Sequence, residues 1–404
     1  MPTQQPDPSP SVGEEMLGEL LEESHWLHPD AIPDVVRRHG ASVGLRDVHL
    51  YLVDKEQRLL MPFPSDAAVP LDINSTLAGR SFRRVEVVVA ERVVWFPLLD
   101  GAHRIGVMSA EVDTPDDVVI VRGRRLAALV AHLLITKQPY GDAIVIAQRR
   151  EEMKLAAELR WAVLPPLTFA SPDVAVSGFL EPAYDVAGDA FDYAVNGETL
   201  HLAVFDAMGH GLAASRLANL AMVSYRNSRR RGSSLEETYR AMDEIVFSEE
   251  GPDAFVTAQL VTLDIPSGLL RWINAGHPHP ILLRSAATGT TLTGTTVLPV
   301  GLRSMEGEVG EMHLQPDDTL LFHSDGVTEA RSPGGEEFGR DRLADMLVRA
   351  ASSGEHLAEI VRRLTHAVLD HQQGHLVDDA TLLLVHWPGS QRAPHPRVRA
   401  APNF

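Results

Sequence analysis

The sequence predicts an α+β protein made of antiparallel sheets with helices packed against them. Three observations carry this expectation. Many short strand-like runs are joined by hairpin signals such as Asn196-Gly197 and Pro266-Ser267-Gly268. Helix-period segments flank those runs and supply the layers that cover them. A helix-like stretch stopping at Pro165-Pro166, where two prolines cannot continue it, separates two differently patterned halves.

In the first half, helix-like segments at Glu14–Glu23 and Ile32–Gly40 precede the alternating runs Asp47–Val53, Val85–Val89, Val93–Leu98 and Arg104–Ala110. The apolar helix Arg124–Thr136 closes it. Asp142–Leu164 reads as one long linker helix, with Leu155, Leu159 and Val163 repeating at i, i+4, i+8 beside a charged set that includes Arg149, Arg150, Glu151, Glu152, Lys154 and Glu158. Such a face suits a partner helix or the next domain, and it suits a plain connector equally well.

In the second half, strands are expected at Val174–Phe179, Phe191–Ala194, Thr199–Phe205, Phe255–Asp264, Leu269–Ile273, Ile281–Leu283, Thr319–Phe322 and Thr381–Val385. Helices are expected at Leu212–Asn227, Ser234–Phe247, Arg340–Ala350 and Glu355–His371. The domain plan is therefore a disordered tail at 1–13, a sheet domain at 14–138, a linker helix at 139–165, a larger domain at 166–388 and a second tail at 389–404.

Length and composition narrow the function. The 404 residues make two or three domains at roughly 100–200 residues each, and 44% hydrophobic content can bury a core. A net charge of −19 argues against nucleic acid as a partner, because phosphate contacts need a basic stripe. With no cysteine, disulfide frameworks, thiolate metal sites and thiol nucleophiles are excluded. The polar, Pro-rich start lacks the apolar core of a signal peptide, and runs such as Leu126–Ile135 are shorter than the ~20 residues that span a bilayer. A soluble, cytoplasmic protein is expected.

The chemistry is visible in where cations are missing. From Trp161 to Ser215 there is no Lys or Arg, although even spreading of the 36 basic residues would place about five there. The same window holds Asp173, Glu181, Asp185, Asp189, Asp192, Glu198 and Asp206. Similar gaps surround Asp325 and Asp378-Asp379. Solvated acidic surface accounts for most of these residues. It does not account for Asp189 after Gly188, for Asp206 and Asp325 after apolar runs, or for Asp378-Asp379 before Thr381–Val385. A carboxylate at the end of a buried strand is costly unless paired or bound to a cation.

If Asn196-Gly197 is a two-residue turn, Asp189 lies opposite Val204, and Asp206 becomes its same-face diagonal neighbour, roughly 7–8 Å away. A turn one residue longer would put the two on opposite faces. Oxygen donors without cysteine select Mg²⁺ or Mn²⁺ over zinc or copper. A pair of such ions can activate water and clamp a phosphate.

Two resemblances sharpen this reading. The first half resembles a GAF sensory domain through Val48–Leu52 with Val53-Asp54, Val94-Trp95-Phe96-Pro97-Leu98 and Arg104-Ile105-Gly106-Val107. A sheet domain that only packs or dimerises fits those residues as well, and no ligand follows from them. In the second half, Ala187-Gly188-Asp189-Ala190-Phe191-Asp192 resembles G-G-D-x-[YF]-D, with Ala187 replacing the second glycine. Asp206–Gly211 resembles D-x-M-G-H-G, and Asn274–Pro280 resembles N-A-G-H-P-x-P. Ser324–Ala330 resembles [TS]-D-G-[LV]-x-E-A, and Asp378-Asp379-Ala380-Thr381 resembles D-D-x-T. In this order they resemble the SpoIIE-like branch of the protein phosphatase 2C (PPM) serine/threonine phosphatases over roughly 155–386.

That resemblance implies an α-β-β-α sandwich of two antiparallel sheets with two Mn²⁺ or Mg²⁺ ions at one end. It implies that Asp206 bridges both ions, the Ala207 carbonyl ligates one, Asp325 and Asp378 hold the other, and Asp189 binds directly or through water. Asp379 competes with Asp378 for the ligand role. The implied activity is hydrolysis of phosphoserine or phosphothreonine by metal-activated water without a phosphoenzyme. The implied substrate is a phosphorylated STAS-type anti-sigma factor antagonist, and the linker or the GAF-like domain is a possible homodimer contact. The alternative is a non-catalytic sensor or scaffold of a partner-switching pathway.

Other residues read more plainly. His277 and His279 form a rigid turn near the site mouth rather than a zinc pair, and His210 is structural. Arg229-Arg230-Arg231 complement a helix C-terminus. No base is arranged for Ser324 or Thr328 to act as a nucleophile. No D-x-D-x-[TV] sequence supports an aspartyl-phosphate route, and no arginine stands out as a phosphate anchor.

Overall fold

The computed structural model describes residues 12–65, 68–185, 188–284, 289–303, 308–374, 376 and 378–389. The expected tails lie almost wholly outside these, although Val12 and Gly13 already belong to the first helix. Ala187 is also outside them. The chain forms two compact units, one through Arg150 and one from Glu151.

In the first unit, helices α1 (Val12–Ser24) and α2 (Ile32–Ser42) precede strands β1 (Arg46–Val53), β2 (Leu59–Phe63) and β3 (Leu71–Asp72). Helix α3 (Leu77–Arg84) leads into β4 (Val88–Ala90), β5 (Val93–Asp100) and β6 (His103–Glu111), and α4 (Asp117–Lys137) and α5 (Ala143–Ala147) follow. The strands make one antiparallel sheet in the order β3-β2-β1-β6-β5-β4. Alternation sorts its faces. Val48, Leu50 and Leu52 pack with residues of α1, α2 and α4, while Tyr51 joins Phe82 of α3 on the other side. Helix α3 is not marked in the sequence pattern: it is short, and its buried face of Ala78, Ser81 and Phe82 holds a single large apolar side chain; Thr76 starts it by accepting from the Gly79 amide (3.0 Å). Asp116 likewise caps α4 through the Val119 amide (2.9 Å), so that helix begins before the expected Arg124.

The expected linker helix is not one helix. It breaks between α5 and α6 (Leu155–Trp161). Ile144 and Ala147 of α5 bury in the first unit's core, and Arg150 turns aside to Asp54 (2.9 Å) and Glu56. The Lys154 amide, which would continue the helix, donates instead to the Tyr184 carbonyl (3.0 Å). Tertiary hydrogen bonds override local propensity here. The expected contact stripe is also displaced: Leu155 is exposed, and Ala156, Ala157 and Arg160 are the buried face. The two alanines let α6 approach closely enough for Ser215 Oγ to donate to the Ala156 carbonyl (3.1 Å).

The second unit continues with β7 (Thr168–Ala170), β8 (Ala175–Glu181), β9 (Asp189–Asn196), β10 (Thr199–Ala207), α7 (Gly211–Arg230), α8 (Leu235–Glu250), β11 (Val256–Asp264), β12 (Leu269–Ala275), β13 (Ile281–Leu283), β14 (Gly289–Thr291), β15 (Thr296–Val297) and β16 (Gly310–His313). It ends with β17 (Asp318–His323), α9 (Asp325–Thr328), α10 (Arg340–Ser352), α11 (Leu357–His371) and β18 (Ala380–Trp387).

One sheet runs β15-β12-β11-β10-β9, with β16 also on β12. The other runs β14-β13-β17-β18-β8-β7. Phe191, Leu202, Val204, Leu320, Phe322, Leu383 and Val385 meet between the sheets. The opposite face of β10, with Ala203 and Phe205, packs with residues of α7 and α8. Leu321, Leu382 and Leu384 pack under α10 and α11. This is the four-layer α-β-β-α sandwich expected from the sequence. Gly178 permits the close fit of the sheets, because a Cβ there would stand 2.3 Å from the Phe191 ring.

Candidate metal centre

The β9–β10 hairpin brings the first two carboxylates together. The turn is Gly197-Glu198 rather than Asn196-Gly197, because Asn196 pairs with Thr199 and Gly197 takes the positive φ (58°) that the turn requires. The register therefore moves by two positions, which keeps side-chain parity. Asp189 and Asp206 are directly opposite, closer than the predicted diagonal, at about 4.5–5.5 Å between Cβ atoms for such pairs. Both share the inter-sheet face with Phe191 and Val204.

The second sheet brings the other carboxylates to the same end. Asp325 opens α9 directly after β17, and Asp378-Asp379 directly precede β18. Ser324 stitches these strand ends: Oγ accepts from the Thr381 amide (3.0 Å) and donates to the Asp379 carbonyl (3.3 Å). That engagement fits the reading that Ser324 is not a nucleophile. Asp379 Oδ2 accepts from the amides of Gly188 (2.7 Å) and Asp189 (3.1 Å), so it fastens the start of β9 to the end of the other sheet. Asp378 Oδ1 accepts the Asp379 amide (2.9 Å).

Electrostatics show how these groups act on one another. Asp206 is pushed up to about 7, first by burial and then by the charges of Asp325, Asp378 and Asp379. Asp189 is raised well above the ordinary carboxylate range by burial, then by Asp206 and Asp379. The Ser324 and Thr381 hydroxyls pull in the opposite direction, yet Asp189 Oδ2 and Thr381 Oγ1 are both buried without a hydrogen-bond partner. Asp378 is raised chiefly by burial, with Asp325 adding to it.

The donor set fits a hard divalent cation. It consists of oxygens alone, it carries uncompensated repulsion, and it includes one deeply buried partnerless carboxylate oxygen. As the side chains stand, no group of three or more His, Asp or Glu among the described residues is close enough to hold an ion. Loading would therefore require side-chain movement. The Ala207 backbone lies beside Asp206, where its amide donates to the Gly188 carbonyl (3.2 Å).

The structure gives three further buried residues of the second unit specific partners. Asp192 is on the same strand as Asp189 but faces α7, where Arg226 (2.6 Å) and Arg229 (2.7 Å) hold its two oxygens. Arg229 was expected only to complement a helix end; the fold gives it a buried partner. His277 is braced within the turn, its amide donating to Asn274 Oδ1 (2.8 Å) and its Nδ1 within 2.9 Å of Thr257 Oγ1. Burial holds its ring near pKa 3, hence neutral. Arg160 was also missed, although its i+4 and i+3 relation to Ala156 and Ala157 placed it on a face of small apolar residues.

Residues 196–388 match the family described as Stage II sporulation protein E (SpoIIE). Protein IcfG from Synechocystis sp. is 24% identical over 269 residues, covering 59% of this chain and 42% of that relative. Phosphoserine phosphatase RsbU from Bacillus subtilis is 21% identical, covering 58% of this chain and 70% of its own. The solved RsbU and RsbW domains of Rv1364c from Mycobacterium tuberculosis superpose with a TM-score of 0.48 at 26% identity, covering 56% and 63% of the two chains. The chain thus spans less than half of the first of these relatives. The match to the SpoIIE family lies within the second unit.

Proposed function

We propose that the protein is a cytoplasmic, metal-dependent protein serine/threonine phosphatase whose first unit, GAF-like in its motifs, regulates the second. The observation that carries this reading is the meeting of Asp189, Asp206, Asp325 and Asp378 at one end of the sandwich, with Asp189 Oδ2 buried and unpartnered. Kinship with a phosphoserine phosphatase supports the same reaction class. Among the described residues no helix is long and apolar enough to cross a membrane.

In this reading Asp189, Asp206, Asp325 and Asp378 hold two Mn²⁺ or Mg²⁺ ions, with the Ala207 carbonyl as a further donor. Bound ions of this kind supply an activated water and a clamp for phosphate. Asp379 acts in this reading as a positioning residue, because its Oδ2 already accepts from the Gly188 and Asp189 amides, and that engagement favours Asp378 as the ligand. Asp206 must release its proton before it can bind, since the metal-free carboxyl titrates near 7. The proposed substrate is a phosphorylated STAS-type anti-sigma factor antagonist, as the motif resemblance implies; the phosphoserine phosphatase relative supports the phosphoserine part of that reading.

The test is phosphopeptide hydrolysis by the full chain with Mn²⁺, with Mg²⁺ and with chelator. Turnover should appear with either ion and vanish without, and a phosphorylated STAS protein should be cleaved faster than the peptide. The rival scaffold reading draws on the unconverged side chains. Absence of turnover under every metal condition would establish it instead.

A further inference from the structure

Gln259 on β11 is wholly buried, and neither the oxygen nor the nitrogen of its side-chain amide has a hydrogen-bond partner among the described residues. It stands directly opposite Val204 on β10 and Asn274 on β12. Val204 and Val261 belong to the core between the sheets, so strand alternation turns Gln259 into the same space. A primary amide there loses its hydration, and the loss is costly unless hydrogen bonds replace it. A second orphaned atom belongs to the same place. His277 Nε2 is buried and likewise without a partner among the described residues. Its ring is anchored by Nδ1, 2.9 Å from Thr257 Oγ1, and Thr257 precedes Gln259 by two positions on the same face of β11. The His277 backbone amide donates to Asn274 Oδ1 (2.8 Å), on the residue across from Gln259. His277 is thus tied to both flanks of Gln259, along its own strand and across to the next.

We infer that Gln259 and His277 form a binding site for internal water between the two sheets, one row behind Asp206. Thr257 is the residue opposite Asp206, and Gln259 lies about 7 Å further along the strand. The chemistry of the three orphaned atoms selects the guest. Gln259 offers one acceptor and one donor; the His277 nitrogen is a donor when the Thr257 hydroxyl donates to Nδ1, and an acceptor in the other tautomer. Water both donates and accepts, so it satisfies either arrangement, and buried waters typically make about three such bonds. Thr257, Gln259 and Asn274 carry no charge, which favours a neutral guest over an ion. The bound water links β11 to the turn after β12 and so holds the strand that faces Asp206. The inference goes beyond the phosphatase reading and stands without it, because it uses none of the carboxylates.

The experiment pairs a crystal structure of the full chain, grown in chelator, with oxygen-17 relaxation dispersion and melting of the parent and Gln259→Met. Methionine nearly matches glutamine in length and removes both polar atoms of the amide. The crystal should show an ordered solvent oxygen within about 2.7–3.2 Å of the Gln259 amide and of His277 Nε2. Gln259→Met should lose the dispersion amplitude of at least one slowly exchanging water and should melt at or below the parent, because the water leaves with its hydrogen bonds. Gln259 bonded directly to protein groups in the crystal, or enclosed without solvent, would overturn the inference. So would equal dispersion amplitudes, or a variant that melts above the parent, which is the mark of a dry orphaned amide removed. If the variant does not fold, the parent crystal alone decides. A chain that hydrolyses no phosphopeptide would defeat the phosphatase reading and leave each of these outcomes as informative as before.

Discussion

Asp189 and Asp192 lie three positions apart on strand β9, and both are almost fully buried. Their surroundings could hardly differ more. Asp192 faces a helix and meets two arginines. Asp189 faces the inter-sheet space and meets Asp206 and Asp379, with one oxygen left unpartnered. The odd spacing sends the two side chains to opposite faces of one strand. A satisfied buried carboxylate serves the fold; an unsatisfied one beside its own kind is poised to take up a cation.

The comparison breaks most sharply under substitution. Asp206→Asn or Asp325→Asn should reduce metal-dependent turnover on the order of a thousandfold or more, the scale of charge stabilisation that bound ions supply, with circular dichroism and melting in chelator retained. Turnover near that of the parent would remove these residues from the site. Asp192→Asn should do the reverse. Breaking one partner of this buried set should cost about 3–5 kcal/mol in urea unfolding, while the folded fraction keeps its kcat.

Gly178→Ala tests the support beneath the Asp189 side of β9. Its new methyl would press on the Phe191 ring and should cost about 1–3 kcal/mol. A neutral result would show that the sheets can shift apart. The smallest effect is on pH dependence. Asp206 titrates near 7 in the metal-free protein, above its ordinary value. Its contribution to metal-free stability is therefore present in acid and lost as pH rises through about 7. Mn²⁺ affinity should run the other way, falling by about tenfold for each pH unit below 7. Calorimetric titration between pH 5.5 and 8, roughly bracketing that value, would show a flat profile if Asp206 is not a ligand.

The sequence made much of this legible. The apolar runs ahead of Asp206 and Asp325 and the Lys/Arg-free windows marked the acidic positions, because strand ends and missing counter-ions are local properties. The parity of the β9–β10 pair was readable too, though the turn lies one residue later than expected, which shifts the pairing by two positions. Glycine's positive φ falls at the first turn position, and only the folded hairpin revealed that. The linker was read as one helix because local propensity is all that a linear pattern contains. Arg150 and the Lys154 amide find their partners far along the chain.

What the chain determines by itself, then, is the inventory: antiparallel sheets, their covering helices and a set of carboxylates deprived of nearby cations. Tertiary structure decided which of those acids are neutralised. Arg226 and Arg229 reach Asp192 from α7, outside the basic-free window. Charge compensation acts through space over a few ångströms, and the approach of distant segments is fixed only when the layers pack.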